Sequence, residues 1–281
     1  MEKQFYIWKI SKNDAKKKLL TFLKAKTHAS NRQIKNALEK GQCLVNNKIE
    51  RFSSILLKEG SEIKLNRAFI DFVEQKKITS LKILYEDEFL LCIDKPSNFV
   101  SDDKNIHLFF SKKYTLLHRL DKDTTGVLLI AKTQKFKEKM ICLFKEKKII
   151  KTYLALVDGQ IKEKTKKIEN YLQKIKSFQG QSIYGSSSNG KYALTYLKVI
   201  EKYKDKTFVE LNPITGRTHQ LRAHMKQISH PILGDYLYAK SFYCKDQVSR
   251  LQLHSSQIEF THPETNENIV IESELPEDFI L

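Results

Sequence analysis

The residues best equipped for chemistry lie together in the run HRLDKDTTGVLLIAK, from His118 to Lys132. It opens with a histidine, an arginine and a carboxylate, passes through a polar Thr-Thr-Gly turn, and ends in the apolar stretch Val127 to Ala131. The aliphatic and β-branched residues of that stretch predict a short buried strand. An ionisable group held at the mouth of a rigid core strand is well placed to act, and Asp121 is that group. Farther along, KTYLALVDG (Lys151 to Gly159) reads as a strand with Tyr153 near its start. PITGRTHQLRAHMKQ then sets Arg217, His219 and Arg222 around a helix expected from about Thr218. Singly, these residues have ordinary explanations: an ion pair for Asp121 and Arg119, a core histidine for His118, a strand aromatic for Tyr153. No metal site is expected, because the step from His219 to His224 turns a helix through about 140° and the two rings do not share a face. The clustered carboxylates of a metal-dependent nuclease are also missing from the sequence.

The elements that must position these groups begin at about Asp14. Lys16 to Lys24 carries Leu19, Leu20, Phe22 and Leu23 among lysines, the pattern of a helix with one apolar face. Ser30 with Gln33 makes a capping box for a second helix, whose stripe is Ile34, Ala37 and Leu38, with Arg32, Lys35 and Lys40 elsewhere and Gly41 as the stop. Cys43 to Val45, an Asn46-Asn47 turn and Lys48-Ile49 predict a tight hairpin, followed by a strand at Glu62 to Leu65. Arg67 to Ser80 has mixed charge without periodicity and is taken as a linker. From Leu81 two strands flank an acidic turn, the second running from Phe89 to Ile93 and stopping at Lys95-Pro96. Gln134 to Glu146 spaces Phe136, Met140, Leu143 and Phe144 as an amphipathic helix. Gly180 to Lys191, rich in Ser and Gly, reads as a mobile loop, and strands are expected at Ala193 to Val199 and Thr207 to Leu211.

The 281 residues can bury a sizeable core in more than one domain, and 50 Lys and Arg against 33 Asp and Glu leave a formal charge of +17. A surplus of that size favours a polyanionic partner, most often nucleic acid. Cys43, Cys92, Cys142 and Cys244 contain no C-x-x-C pair, which argues against a zinc ribbon or redox motif. The N-terminal MEKQFYIWKI is too polar and short for a secretory signal, and no apolar run approaches about 20 residues. A soluble cytoplasmic protein with reduced thiols is expected.

HRLDKDTTGVLLIAK, KTYLALVDG, TGRTHQLRAHMKQISHPILGDYLYA and LQLHSSQIEFTHP, in this order, resemble the RluA family of pseudouridine synthases from about Leu81 onward. The capped helix with Ser-x-Arg, followed by G-x-x-L-V-N-N-K, resembles the S-four-type RNA-binding domain. These resemblances imply an α+β fold: a catalytic domain at 76–281, built on a largely antiparallel mixed sheet with flanking helices, and a small α/β RNA-binding domain with its linker at 1–75. Asn98 stands where the family usually has Gly, a place a left-handed Asn can fill; Thr125 replaces a more frequent Ser. The implied reaction breaks a uridine's glycosidic C–N bond, turns the base over and rejoins it through carbon, so neither cofactor nor metal is expected. Asp121 would act at ribose C1′, as nucleophile or as the base that starts glycal formation. Arg222 would pair with it and favour its charged form, and Tyr153 would stack on the base. Extruding the uridine costs roughly a few kcal/mol, and Arg119 would contact or replace the flipped nucleotide. His118, Arg217, His219, Arg32 and Lys35 complete the expected RNA contacts. The expected partner is RNA, ribosomal RNA of the large subunit before transfer RNA, bound by a monomer with no membrane association. The rival is a non-catalytic RNA-binding or ribosome-assembly factor on the same scaffold.

Overall fold

The structure is a computed structural model that describes residues 5–27, 29–39, 41–66, 78–178, 181–239, 241–244, 246, 248 and 250–280. The chain divides into two compact units, Met1–Thr79 and Ser80–Leu281. Most of the expected linker, 67–77, lies outside the described residues.

The first unit contains β1 (Phe5–Lys9), α1 (Leu19–Thr27), α2 (Asn31–Glu39), β2 (Cys43–Val45), β3 (Lys48–Ile49) and β4 (Glu62–Asn66), with sheet order β1-β4-β2-β3. Leu19, Phe22 and Leu23 of α1 and Ile34 and Leu38 of α2 pack against Ile63 and Leu65 of the sheet. The first helix begins three residues later than its apolar pattern suggested, because Lys16 takes a left-handed φ of 64° and Lys18 bridges Leu56. Around Ser30 the capping box forms as expected: Gln33 N donates to Ser30 Oγ (3.3 Å) while Ser30 N donates to Gln33 Oε1 (2.9 Å). Asn46 and Asn47 both adopt positive φ, 50° and 65°, so the hairpin turn is the one their side chains tolerate.

The second unit is a single 11-stranded sheet with few helices. Its strands are β5 (Lys82–Glu86), β6 (Leu90–Lys95), β7 (Thr115–Leu116), β8 (Thr125–Ala131), β9 (Ile150–Asp158), β10 (Thr165–Phe178), β11 (Gln181–Ser186), β12 (Lys191–Lys202), β13 (Lys206–Pro213), β14 (Leu253–Thr261) and β15 (Asn268–Glu272). The order along the sheet is β11-β10-β12-β13-β9-β14-β8-β6-β5, with β15 on β14 and β7 on β8; every pair is antiparallel except β14–β8. Helices α3 (Asp103–Ile106), α4 (Gln134–Lys145) and α5 (Gln220–Gln227) flank it. Thr133 caps α4 by accepting from Phe136 N (3.2 Å), and Phe136 and Met140 enter the core with Val127 and Leu129.

One expectation changes. The stretch expected as a loop from Gly180 to Lys191, of which Gly180 lies outside the described residues, is not a loop: β11 pairs with β10, a tight turn over Ser187 to Gly190 follows, and Ile183 is buried against Leu172. The 14 residues of β10, the longest described strand, carry no clear pattern in the sequence, because Ile168 and Leu172 face inward while lysines occupy solvent positions and blur the alternation. Serine and glycine mark the turn but do not by themselves decide the length of the strands around it.

Candidate active site

Strand β8 is buried at all seven positions, and the run from His118 to Thr124 hangs from its start. Gly126 (φ 104°) permits this, since a Cβ there would lie 2.1 Å from the Ser255 carbonyl oxygen and break the parallel β8–β14 contact. Two buried side chains fix the loop ahead of it. Lys95 Nζ donates to the carbonyls of Pro96, Phe99 and Lys122 at 2.9, 3.0 and 3.0 Å, and Ser101 Oγ donates to Leu120 O at 3.0 Å. Burial pushes Lys95 down to about 7, whereas the three acceptors match the three N–H bonds that only the ammonium form carries. Asn98 does reach the left-handed region (φ 68°) in the turn that shapes this clamp.

Asp121 meets Arg222 across 101 residues of chain: Arg222 Nη1 donates to Asp121 Oδ2 at 3.2 Å. The rest of the guanidinium forms a fork on Asp235, with Nε and Nη2 each 2.8 Å from a carboxylate oxygen, and its plane lies over the Tyr238 ring at 5.1 Å. Burial alone would lower the Arg222 pKa, but Asp235 and then Asp121 outweigh it and hold the group protonated. Asp235 sits inside the quoted motif without having been singled out. Gly234 (φ 78°) delivers it, because a Cβ there would lie 2.1 Å from Arg250 O.

His219 Nε2 stands 3.8 Å from Asp121 Oδ1 while Nδ1 faces Tyr238 Oη at 3.2 Å. Burial lowers its pKa against the opposing pull of Asp121. Its backbone is left-handed (φ 55°, ψ 22°) and gives α5 no side-chain cap. Gln220 fastens the helix start instead, accepting from Thr215 Oγ1 (2.6 Å) and Arg217 N (3.0 Å) and donating to Leu194 O and Thr195 Oγ1.

Asp121, Tyr153, Arg222, His219, Arg217 and Arg119 line one cleft of about 100 Å³. Tyr153 is buried, and that burial, with the Asp121 charge adding to it, pushes its pKa up to about 12; it stays a neutral ring suited to stacking. Arg119 is exposed at the mouth, and Arg217 is steered by a 2.9 Å bond from Nε to Tyr192 O. His118 is half-buried: its Nε2 accepts from Leu129 N (3.1 Å), and burial with the nearby Lys151 charge pushes it down to about 3, so the ring is neutral. His224 faces Thr195 and Asn170 on β12 and β10, separate from the partner of His219. Lys151 also lines the cleft and was not foreseen, although its place two residues before Tyr153 on one strand puts both on one face. In the other unit, Arg32 and Lys35 are exposed on α2.

Comparison with known proteins gives the family. The family model for RNA pseudouridylate synthase matches residues 90–227, which contain Asp121, Tyr153 and Arg222. Ribosomal large subunit pseudouridine synthase C of Buchnera aphidicola subsp. Baizongia pistaciae is 33% identical over 78% of this chain and 78% of its own. The chain belongs to the RluA family of RNA pseudouridine synthases. Another relative, ribosomal large subunit pseudouridine synthase D of Blochmanniella floridana, is 31% identical, covering 89% of this synthase and 88% of the relative. Among solved structures, human RNA pseudouridylate synthase domain containing 1 superposes with a TM-score of 0.62 at 28% identity, covering 71% of this synthase and 85% of the human chain. No described helix of this synthase is long and apolar enough to cross a membrane.

Proposed function

We propose that this synthase isomerises specific uridines of large-subunit ribosomal RNA, with Asp121 acting at C1′ of a uridine drawn out of the RNA stack. The observation that supports this reading best is the Asp121–Arg222–Asp235 array at the floor of the cleft. A guanidinium held through two of its nitrogens by a buried carboxylate has little freedom left, so its third nitrogen holds Asp121 in one place. Tyr153 provides the face on which the base rests, and its raised pKa favours stacking over proton removal at neutral pH. Arg119, exposed at the mouth, has the flat guanidinium that can replace the extruded nucleotide in the stack. His118, Arg217 and His219 line the approach to these groups. The N-terminal unit acts as an S-four-like RNA anchor, with Arg32 and Lys35 exposed near the positive end of α2 and available to phosphates. The names of the relatives support the ribosomal target, and transfer RNA is the alternative substrate. The chain works in the cytoplasm as a monomer, without a cofactor.

Release of tritium from C5-labelled uridine in ribosomal RNA tests the reaction directly. Asp121→Asn is expected to lower the rate by roughly a thousand-fold or more while RNA affinity stays within about three-fold. Retained turnover would remove Asp121 from the chemistry.

A further inference from the structure

Among the charged side chains that line the cleft, Lys151 is the one to which the reaction as described gives no task. It lies on β9 two residues before Tyr153, so both side chains leave the same face of the strand. Its ammonium reaches the cleft beside Gly216, 3.9 Å from where a Cβ on that glycine would be, and that bare backbone leaves room next to Nζ. Among the described residues no carboxylate lies within 4 Å of Nζ and no hydrogen bond is made by it. Half-buried, it has its pKa pushed down to about 8 by burial, with no opposing charge to compensate.

The carboxylates of the site are already committed: Asp235 to Nε and Nη2 of Arg222, and Asp121 to its Nη1 and to the neighbourhood of His219. With both carboxylates so engaged, Arg119, Lys151 and Arg217 leave positive charge in excess among the groups that line the cleft. An ammonium in that position calls for an anion from the ligand. A uridine within RNA carries one permanent anion, its phosphodiester, whereas the base is neutral until its bond to the sugar is broken.

Resting on the function proposed above, we propose that Lys151 is a further substrate-contacting residue, which grips the backbone phosphate of the extruded nucleotide in the gap beside Gly216 and so holds the ribose over Asp121. The contact acts on positioning and affinity, with no bond made or broken at Lys151.

The test uses the full chain and a large-subunit ribosomal RNA transcript labelled with tritium at uridine C5, read by tritium release and by binding across a salt series. In Lys151→Met, Kd and KM are expected to rise about ten-fold with kcat within about three-fold of wild type. The log–log salt slope is expected to fall by about 0.7, one phosphate contact. Lys151→Arg should restore affinity to within about three-fold, and thermal denaturation of Lys151→Met should show no loss of stability, since the change removes an unpaired, desolvated charge. An unchanged salt slope overturns the proposal, as does a fall in kcat at unchanged KM, which would place the ammonium on the base. A wild-type protein that binds the transcript but releases no tritium would refute the ribosomal substrate instead, and the salt slopes of the two proteins would still decide Lys151.

Discussion

Two helices of this chain start in basic surroundings, and they start in opposite ways. At α2, Ser30 and Gln33 satisfy each other's amides in a capping box, and Arg32 and Lys35 point to solvent. At α5 the cap position holds His219 in a left-handed conformation that a β-carbon disfavours, with no side-chain cap and with Gln220 tying the turn to β12. The first start is optimised for the helix itself. The second gives up local preference to place His219 and Arg222 against Asp121, the kind of stored strain that gathers at working sites.

The largest effect that would break this contrast is at Asp235, which replaces a cap as the anchor of the α5 side chains. Asp235→Ala should cost about 3 kcal/mol in urea denaturation, by leaving Arg222 buried on one partner, and lower kcat/KM by roughly a hundred-fold. Activity within a few-fold of wild type would mean that Arg222 is held by something else. Nearly as large is an acid effect at the far end of the same helix. Burial holds His224 down to about 4, so the unfolded chain takes up its proton first, and the stability this gives is complete above the ordinary histidine range near pH 6.5 and lost as pH falls toward 4. From the roughly 2.5-unit difference the loss is about 3 kcal/mol, and His224→Gln should flatten the stability profile between those limits; an unaltered profile would assign the acid sensitivity to other groups.

A smaller and opposite effect is expected at the cap itself. His219→Gly should stabilise the catalytic unit by about 1 kcal/mol, by removing the left-handed penalty, while lowering turnover several-fold through loss of the ring beside Asp121. A variant that loses stability would show that the ring's contacts to Tyr238 and Tyr184 outweigh the strain. Smallest is Ser30→Ala, expected to cost about 1 kcal/mol, seen as faster amide exchange confined to α2, with kcat unchanged. A change in kcat would deny that this cap serves only its own helix.

Features governed by near neighbours in the sequence were legible before the fold was known. The Ser30–Gln33 box, the positive φ of Asn46, Asn47 and Asn98, and the buried strand around Val127 each depend on side chains within a few residues of one another. The β10–β11 hairpin was not legible, because lysines on its wet face mask the inward Ile168 and Leu172. β1, with Trp8 stacked edge-on against Phe22, escaped for a related reason: a five-residue strand with only one protected face leaves too short a pattern.

The sequence by itself determined the chemical vocabulary of this protein: one candidate carboxylate at the mouth of a core strand, a tyrosine, a basic helix start, and an excess of positive charge suited to RNA. Tertiary structure decided which of those groups meet. Asp121 and Arg222 touch across 101 residues, and Asp235 enters only because Gly234 lets its backbone pass within van der Waals range of Arg250. Caps and turns are set by interactions a few bonds away, whereas ion-pair partners are chosen by how strands β8, β9 and β12 stack the chain, a long-range outcome that no local window of residues contains.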